Sequence, residues 1–396
     1  MEKYIIPKEK LAQLEGMLTA QDIDTMLIIS RERSDSIVPF LVGVDTVGET
    51  AIFLNKSGKH AVIASKADSG NYLEGGLFSE IITYEKSLAE KFVPYFERLN
   101  PNKVALDFSE NDTVSDGLTL GLYLKLEKMI GKETLARVEV SAEGLIREMR
   151  SVKTPTEIKL LRQSIQITND IYDEVWTRVR CGMSEKEIGD IFVDCMKKRD
   201  VINGLGAAYS YPIVCIVRAG LGHRGPGDTK TIPGDIVIMD FSVNYKGYIS
   251  DIARTAYILK PEEKQPPQDI QHAFDTAFKA ISNTINFIGE GRLGHEVDAV
   301  GRKTVEEGGF PTVRHSVGHP IGRACHDSGT SLGPIRAKVN KAIYRPIQIN
   351  EVYAIEPTVI QDDGLPCMLV EENVVITPKG AEILSRRQTQ LYLIQG

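Results

Sequence analysis

The stretch GDIVIMDFSVNYKGYISDIART, residues 234–255, sets two carboxylates, Asp240 and Asp251, inside segments that otherwise read as β-strand. Ile236, Val237, Ile238 and Met239 lead into the first acid, and Ile249, Ile252 and Tyr257 surround the second. Asn244 to Gly247 supply turn residues between them, so the stretch reads as a hairpin. A turn at Tyr245 and Lys246 would set Asp240 directly opposite Asp251, with Cβ atoms ~4.5–5.5 Å apart on one face. Two anions that close repel and shift each other's pKa. A cation is expected between them, and a divalent metal is the economical choice.

Working outward, the preceding segment reads as two helices. Pro155 to about Arg180 carries Ile158, Leu161, Ile165, Ile171 and Val175 near helical spacing. Ser184 with Glu187 forms a capping box for a second helix that runs to Lys198. The later part repeats this order: a helix over Asp269–Phe287, another over Glu296–Glu307, a loop-rich section, then NEVYAIEPTVIQDDGLPCMLVEENVVIT, residues 350–377. Laid over the first hairpin, this stretch puts Glu356 at the place of Asp240 and Glu371 near that of Asp251, across a turn centred on Asp363-Gly364. The pattern is an internal duplication with two acid-bearing hairpins meeting at a pseudo-twofold.

Four carboxylates call for hard cations, and oxygen ligands with few or no cysteines suit Mn²⁺, Co²⁺ or Zn²⁺. An imidazole would complete one side. Its candidates are His315, His319 and His326, together with His223 in the glycine-rich loop AGLGHRGPGD; these are four of the chain's seven histidines. That loop lacks the Lys-Ser/Thr of a phosphate loop and opens no helix, which argues against nucleotide binding. Arg254 reads as a partner that braces the acids, and Glu372, turned to the other strand face, as solvated or paired.

The chain has 396 residues, enough for two or three domains. Residues 1–140 alternate helical and strand patterns, as in a small α/β layer domain, and hold no catalytic constellation. Residues 142–154 read as a linker, which divides the chain into 1–145 and 146–396. A net charge of −7 leaves no basic footprint for nucleic acid. Five dispersed cysteines without a CxxC pair point away from a disulfide framework. No apolar run has the length of a signal peptide core or a membrane span, so a cytoplasmic protein without a membrane partner is expected.

HSVGHPIGRACHD (residues 315–327), the eleven-residue spacing of Asp240 and Asp251, AIEP (354–357) and VEENVVIT (370–377) together resemble the pita-bread metallopeptidases. The two-domain layout is similar to the branch containing aminopeptidase P, prolidase and creatinase. The resemblance implies an α+β protein: a C-terminal pita-bread catalytic domain, the duplicated α-β unit, preceded by a smaller creatinase-like α/β domain. It implies Asp240, Asp251, His319, Glu356 and Glu371 as ligands of two divalent metal ions, with Asp251 and Glu371 bridging. Mn²⁺ is the first expectation for those ions, with Co²⁺ or Zn²⁺ as alternatives.

By the same resemblance, a hydroxide between the ions would attack the scissile carbonyl of an Xaa-Pro peptide, as in an Xaa-Pro aminopeptidase or dipeptidase. His223 and His326 match positions for substrate binding and stabilisation of the intermediate. Glu356 matches a proton shuttle and His315 a further active-site histidine. Short peptides with proline after the cleaved bond are the implied substrates, and a homodimer the implied assembly.

Three positions depart from the family pattern: Leu369 where proline-specific members commonly carry an arginine, and Ser242 and Pro320 where glycine is usual. Two other readings stand beside the peptidase: a metal-independent, creatinase-like amidinohydrolase, and a non-catalytic pita-bread binding protein. Retention of all five ligand positions weighs against both.

Overall fold

In the computed structural model, residues 2–219, 224–336, 341–361 and 364–396 are described. The chain divides into two compact units, Met1–Met149 and Arg150–Gly396. No helix among the described residues is long and apolar enough to cross a membrane.

The first unit is built on a six-stranded mixed sheet in the order Glu80–Tyr84, Ala61–Ser65, Thr50–Asn55, Thr25–Ser30, Val104–Leu106, Glu139–Ser141. Its central strands, TMLIIS and TAIFLN, are buried along their whole length. Strand alternation explains why both faces need apolar residues. Met26 and Ile28 join one cluster with Leu14, Leu18 and Met149, while Leu27 and Ile29 join the other with Phe92, Leu122 and Leu126. The segment expected as a linker is in part a helix, Glu143–Ser151. Leu145, Ile146 and Met149 recur at helical spacing along it and are buried in the first cluster, a period hidden among its charged residues. Residues 132–138 form a further helix, which leads directly into the edge strand Glu139–Ser141.

The second unit holds the two helix pairs, Pro155–Arg178 with Glu185–Lys198 and Gln268–Phe287 with Gly294–Glu307. The capping box at Ser184 is complete, with Ser184 Oγ accepting from Glu187 N and Glu187 Oε2 accepting from Ser184 N. In the second copy Leu293 occupies the serine's place, and only the return bond to Glu296 survives. One four-stranded sheet runs Tyr392–Ile394, Ile252–Ile258, Ile236–Phe241, Ile213–Ile216, and the other runs Gly318–Pro320, Val352–Ile355, Glu372–Thr377, Gly380–Ile383. This is the duplicated α-β arrangement, with one acid-bearing hairpin feeding each sheet.

The first hairpin turns one residue later than its sequence suggests. Lys246 and Gly247 form the two-residue turn, with φ of 52° and 83°, and Tyr245 pairs with Tyr248. Positive φ at both positions is the type I′ geometry that suits strand twist, and Gly247 adopts it without strain. Asn244 Oδ1 fixes the turn by accepting from Gly247 N at 2.9 Å. The consequence is a shift of two positions in register: Asp240 pairs with Ala253, not Asp251. Because the shift is even, both acids keep the same face.

The first unit also buries a pair of acids. Asp35 and Asp107 are 2% and 1% exposed. Burial first, and then the charge of Asp35, pushes the Asp107 carboxyl up to about 9. Burial also raises Asp35, which is the better supported of the two, its Oδ1 accepting from Ile37 N at 2.9 Å. The folded state therefore holds a proton that the unfolded chain releases near pH 4, and its stability falls as pH rises from there towards 9. Asp107→Asn removes this dependence. It should melt above the parent protein at pH 8, by ~2–4 °C for each kcal/mol recovered, with a smaller gain at pH 5. Thermal melts of both proteins across this range measure the difference.

Candidate metal centre

Asp240 lies in the strand Ile236–Phe241, whose Val237, Met239 and Phe241 pack into the cluster under the first helix pair. Alternation turns Asp240 to the other face, together with Ile236 and Ile238. Asp251 sits one residue before the strand Ile252–Ile258, on the face shared with Tyr257. Tyr172, buried in the helix Pro155–Arg178, clamps both strands from behind, its hydroxyl donating to Met239 O at 3.0 Å and Ile252 O at 2.7 Å.

The second sheet supplies the other donors. Ile355 pairs with Glu372, so Glu356 and Glu371 occupy the next opposed positions in that register. The pairing expected from the sequence thus holds for this hairpin, while Asp363 of its turn lies outside the described residues. His319 comes from the short strand Gly318–Pro320 and pairs with Ala354. Gly318 allows that approach, since a Cβ there would fall 2.4 Å from Ala354 O.

These five side chains converge. His319 Nε2 lies 3.5 Å from Asp251 Oδ2 and 3.7 Å from Glu356 Oε1. Ligand atoms of Asp251, His319 and Glu371 all lie within 4.8 Å of one another. Asp251 and Glu371 are 5% and 2% exposed, so little water screens them. Burial pushes Asp240, Glu356 and Glu371 well above the usual carboxylate range, and the neighbouring carboxylates, with Asp251 first, push them further. Burial also lowers the His319 imidazole against the pull of Asp251, favouring the neutral form that binds metals. The donor set fits divalent ions: bound cations would reverse each of the carboxylate shifts.

Other residues hold this set in place. Arg254 Nη1 donates to Glu371 O at 2.6 Å, and Nη2 reaches Glu372 Oε2 at 3.3 Å. Glu372 is thus buried and paired, not solvated. Asn373 links the two halves, its Oδ1 accepting from Asp251 N at 3.2 Å and its Nδ2 donating to Asp251 O at 2.5 Å. Ser242, the departure from glycine, donates to Asp251 Oδ1 at 2.9 Å. Cys325 places its thiol against Asp251 Oδ2 at 2.7 Å. Neither Asn373 nor Cys325 stands out in the sequence reading. Alternation from Glu371 points to Asn373, two residues on, and Cys325 lies directly before His326.

The remaining histidines divide. His326 is exposed, with its ring centroid 4.2 Å from that of His319. His315 is hydrogen-bonded through both ring nitrogens: Nε2 contacts Thr358 Oγ1 at 2.7 Å and Nδ1 contacts Ser316 O at 2.6 Å. His223 lies outside the described residues. Leu369 is half-buried, packed against the apolar cluster beneath the second sheet.

Known proteins are similar to this chain in fold and sequence. The chain is 26% identical over 388 residues to the uncharacterized peptidase YqhT of Bacillus subtilis, covering 98% of this chain and 99% of that one. It is 23% identical over 359 residues to the Xaa-Pro dipeptidase of Pyrococcus horikoshii, covering 86% and 96% respectively. Its fold matches the crystal structure of an X-Pro aminopeptidase from Thermotoga maritima with a TM-score of 0.72, at 23% identity over 94% of this chain and 98% of that one. The model of metallopeptidase family M24 matches residues 159–378, which span both acid-bearing hairpins and the histidine segment between them. The chain belongs to metallopeptidase family M24 and is a metal-dependent peptidase of pita-bread fold.

Proposed function

We propose that the chain is an Xaa-Pro peptidase that uses two divalent ions held by Asp240, Asp251, His319, Glu356 and Glu371. The observation that carries this reading is the convergence of donors from two separate hairpins and the histidine strand on one buried, anion-crowded point. Asp251 and Glu371 would be shared between the ions, Asp240 would help hold one, and His319 with Glu356 would hold the other. Bound there, the ions supply Lewis acidity toward the scissile carbonyl and lower the pKa of water. Mn²⁺ is the first assignment, with Co²⁺ or Zn²⁺ as alternatives.

The chain's own groups do the rest. The Glu356 side chain is 21% exposed, enough to reach substrate from the rim of the cluster. Its Oε1 takes a proton from the attacking water and returns it to the departing nitrogen. The exposed imidazole of His326 donates to the carbonyl oxygen as negative charge grows there. Arg254 and Asn373 keep Glu371 and Asp251 from drifting as charge redistributes.

Proline specificity draws support from the relatives described as an Xaa-Pro dipeptidase and an X-Pro aminopeptidase. Between these two activities, Leu369 favours the aminopeptidase. An apolar side chain at that position offers no cation to a dipeptide's carboxylate, so longer peptides should be preferred. We assign the enzyme to the cytoplasm, working as a homodimer on short peptides.

Two experiments test this reading. With each candidate metal, Xaa-Pro-Yaa tripeptides should be cleaved before proline faster than Xaa-Pro dipeptides, and faster than Xaa-Ala-Yaa controls. Equal rates on the alanine series would discard the proline assignment and leave the peptidase. Second, Asp251→Asn and Glu371→Gln should each cut kcat/KM by ~100-fold or more. Burial and the neighbouring carboxylates disfavour the charge of Glu371, so metal-free Glu371→Gln should melt at or above the parent temperature. Retained turnover in either would remove that residue from the bridging role.

A further inference from the structure

Cys325 occupies a different setting from the other buried cysteines. Cys195, Cys215 and Cys367 pack inside apolar clusters, where a thiol behaves as a small hydrophobe. Cys325 is 4% exposed and belongs to none of the apolar clusters formed by the described residues. Its neighbours are Asp251, 2.7 Å from the sulfur, and two imidazoles. Ligand atoms of His319, Cys325 and His326 all lie within 4.8 Å of one another. His319 therefore stands in two overlapping donor triads, one with Asp251 and Glu371 and one with Cys325 and His326.

We propose that Cys325 is a sulfur ligand of the metal centre, joining His319 at one metal position and making that position selective for a thiophilic ion. This rests on the metal-centre reading above. Donors at ~2.0–2.3 Å from one ion can lie no more than ~4.6 Å apart, so atoms within 4.8 Å of one another need only small movements to share it. A thiolate with one or two imidazoles suits Zn²⁺ or Co²⁺, whereas the carboxylates alone suit Mn²⁺. The thiol proton passes to solvent as the metal–sulfur bond forms, and no oxidant or reductant is required. The second position keeps its carboxylate ligands, so the two ions sit in chemically unequal sites. His326, at the exposed edge of the triad, keeps its role toward substrate.

Zinc X-ray absorption on the full-length, zinc-loaded chain tests this directly. The proposal requires a sulfur scatterer at ~2.3 Å beside the nitrogen and oxygen shells. Cobalt substitution gives a second readout: the parent protein should show sulfur-to-cobalt charge-transfer absorption, and Cys325→Val should lose it while still binding cobalt through the carboxylates. Chelator competition should find zinc binding weakened in Cys325→Val by at least the ~10–100-fold that even an outer partner costs. Manganese binding should change by much less.

Bound zinc with only nitrogen and oxygen scatterers would overturn the proposal and leave Cys325 as a hydrogen-bond donor to Asp251. The metal-centre reading would survive that result. A chain that binds no metal at all would overturn both. Should Cys325→Val fail to fold, the absorption spectrum of the parent protein still decides.

Discussion

Mutual repulsion among Asp240, Asp251, Glu356 and Glu371 is the constraint on which the catalytic unit depends. Each carboxylate comes from a strand or strand end with apolar neighbours, and burial disfavours the charge of Asp240, Glu356 and Glu371. The carboxylates beside them, Asp251 first, disfavour it further. No arrangement of apolar packing relieves this, because the surrounding strands need the same alternation that points the acids inward. Cations relieve it, and the fold keeps the acids in register until they arrive.

The braces around the cluster are consistent with that demand. Arg254 binds the backbone of Glu371 and the carboxylate of Glu372, so its charge sits behind the cluster without occupying the metal positions. Asn373 ties Asp251 of one hairpin to the second sheet through two hydrogen bonds. The segment carrying Cys325 and His326 is pinned at Asp327, whose carboxylate meets Arg150 at 2.6 Å and accepts from Arg323 N and Ser328 N at 2.9 and 2.8 Å. Burial alone would raise the Asp327 carboxyl, and Lys153 and Arg150 outweigh it to hold it low. Replacing a pinned loop by a free one would lose the alignment on which multi-donor binding depends.

Much of this was legible from sequence for identifiable reasons. The acid-bearing hairpins announce themselves by apolar runs interrupted at matching places, and the duplication pairs Glu356 with Glu371 correctly. The register of the first hairpin is not legible because its turn depends on left-handed backbone at Lys246, a residue that rarely signals it, beside Gly247. The helix 143–151 was hidden because Glu, Arg and Lys around it read as a solvated linker, while only three apolar residues anchor it. Cys325 and Asn373 carry no local signal for another reason. Their significance lies in contacts 74 and 122 residues away in sequence, with Asp251. The motif names His315 but not its partners, Thr358 and Ser316, which hydrogen-bond both nitrogens of its ring.

The central claim is that the four carboxylates and His319 form one two-ion centre. Anomalous diffraction from crystals of the zinc-loaded protein tests it most directly. The account predicts two zinc peaks per chain, ~3.5–4 Å apart, with Asp251 and Glu371 each contacting both. A single peak, or ions bound away from these five side chains, would contradict it.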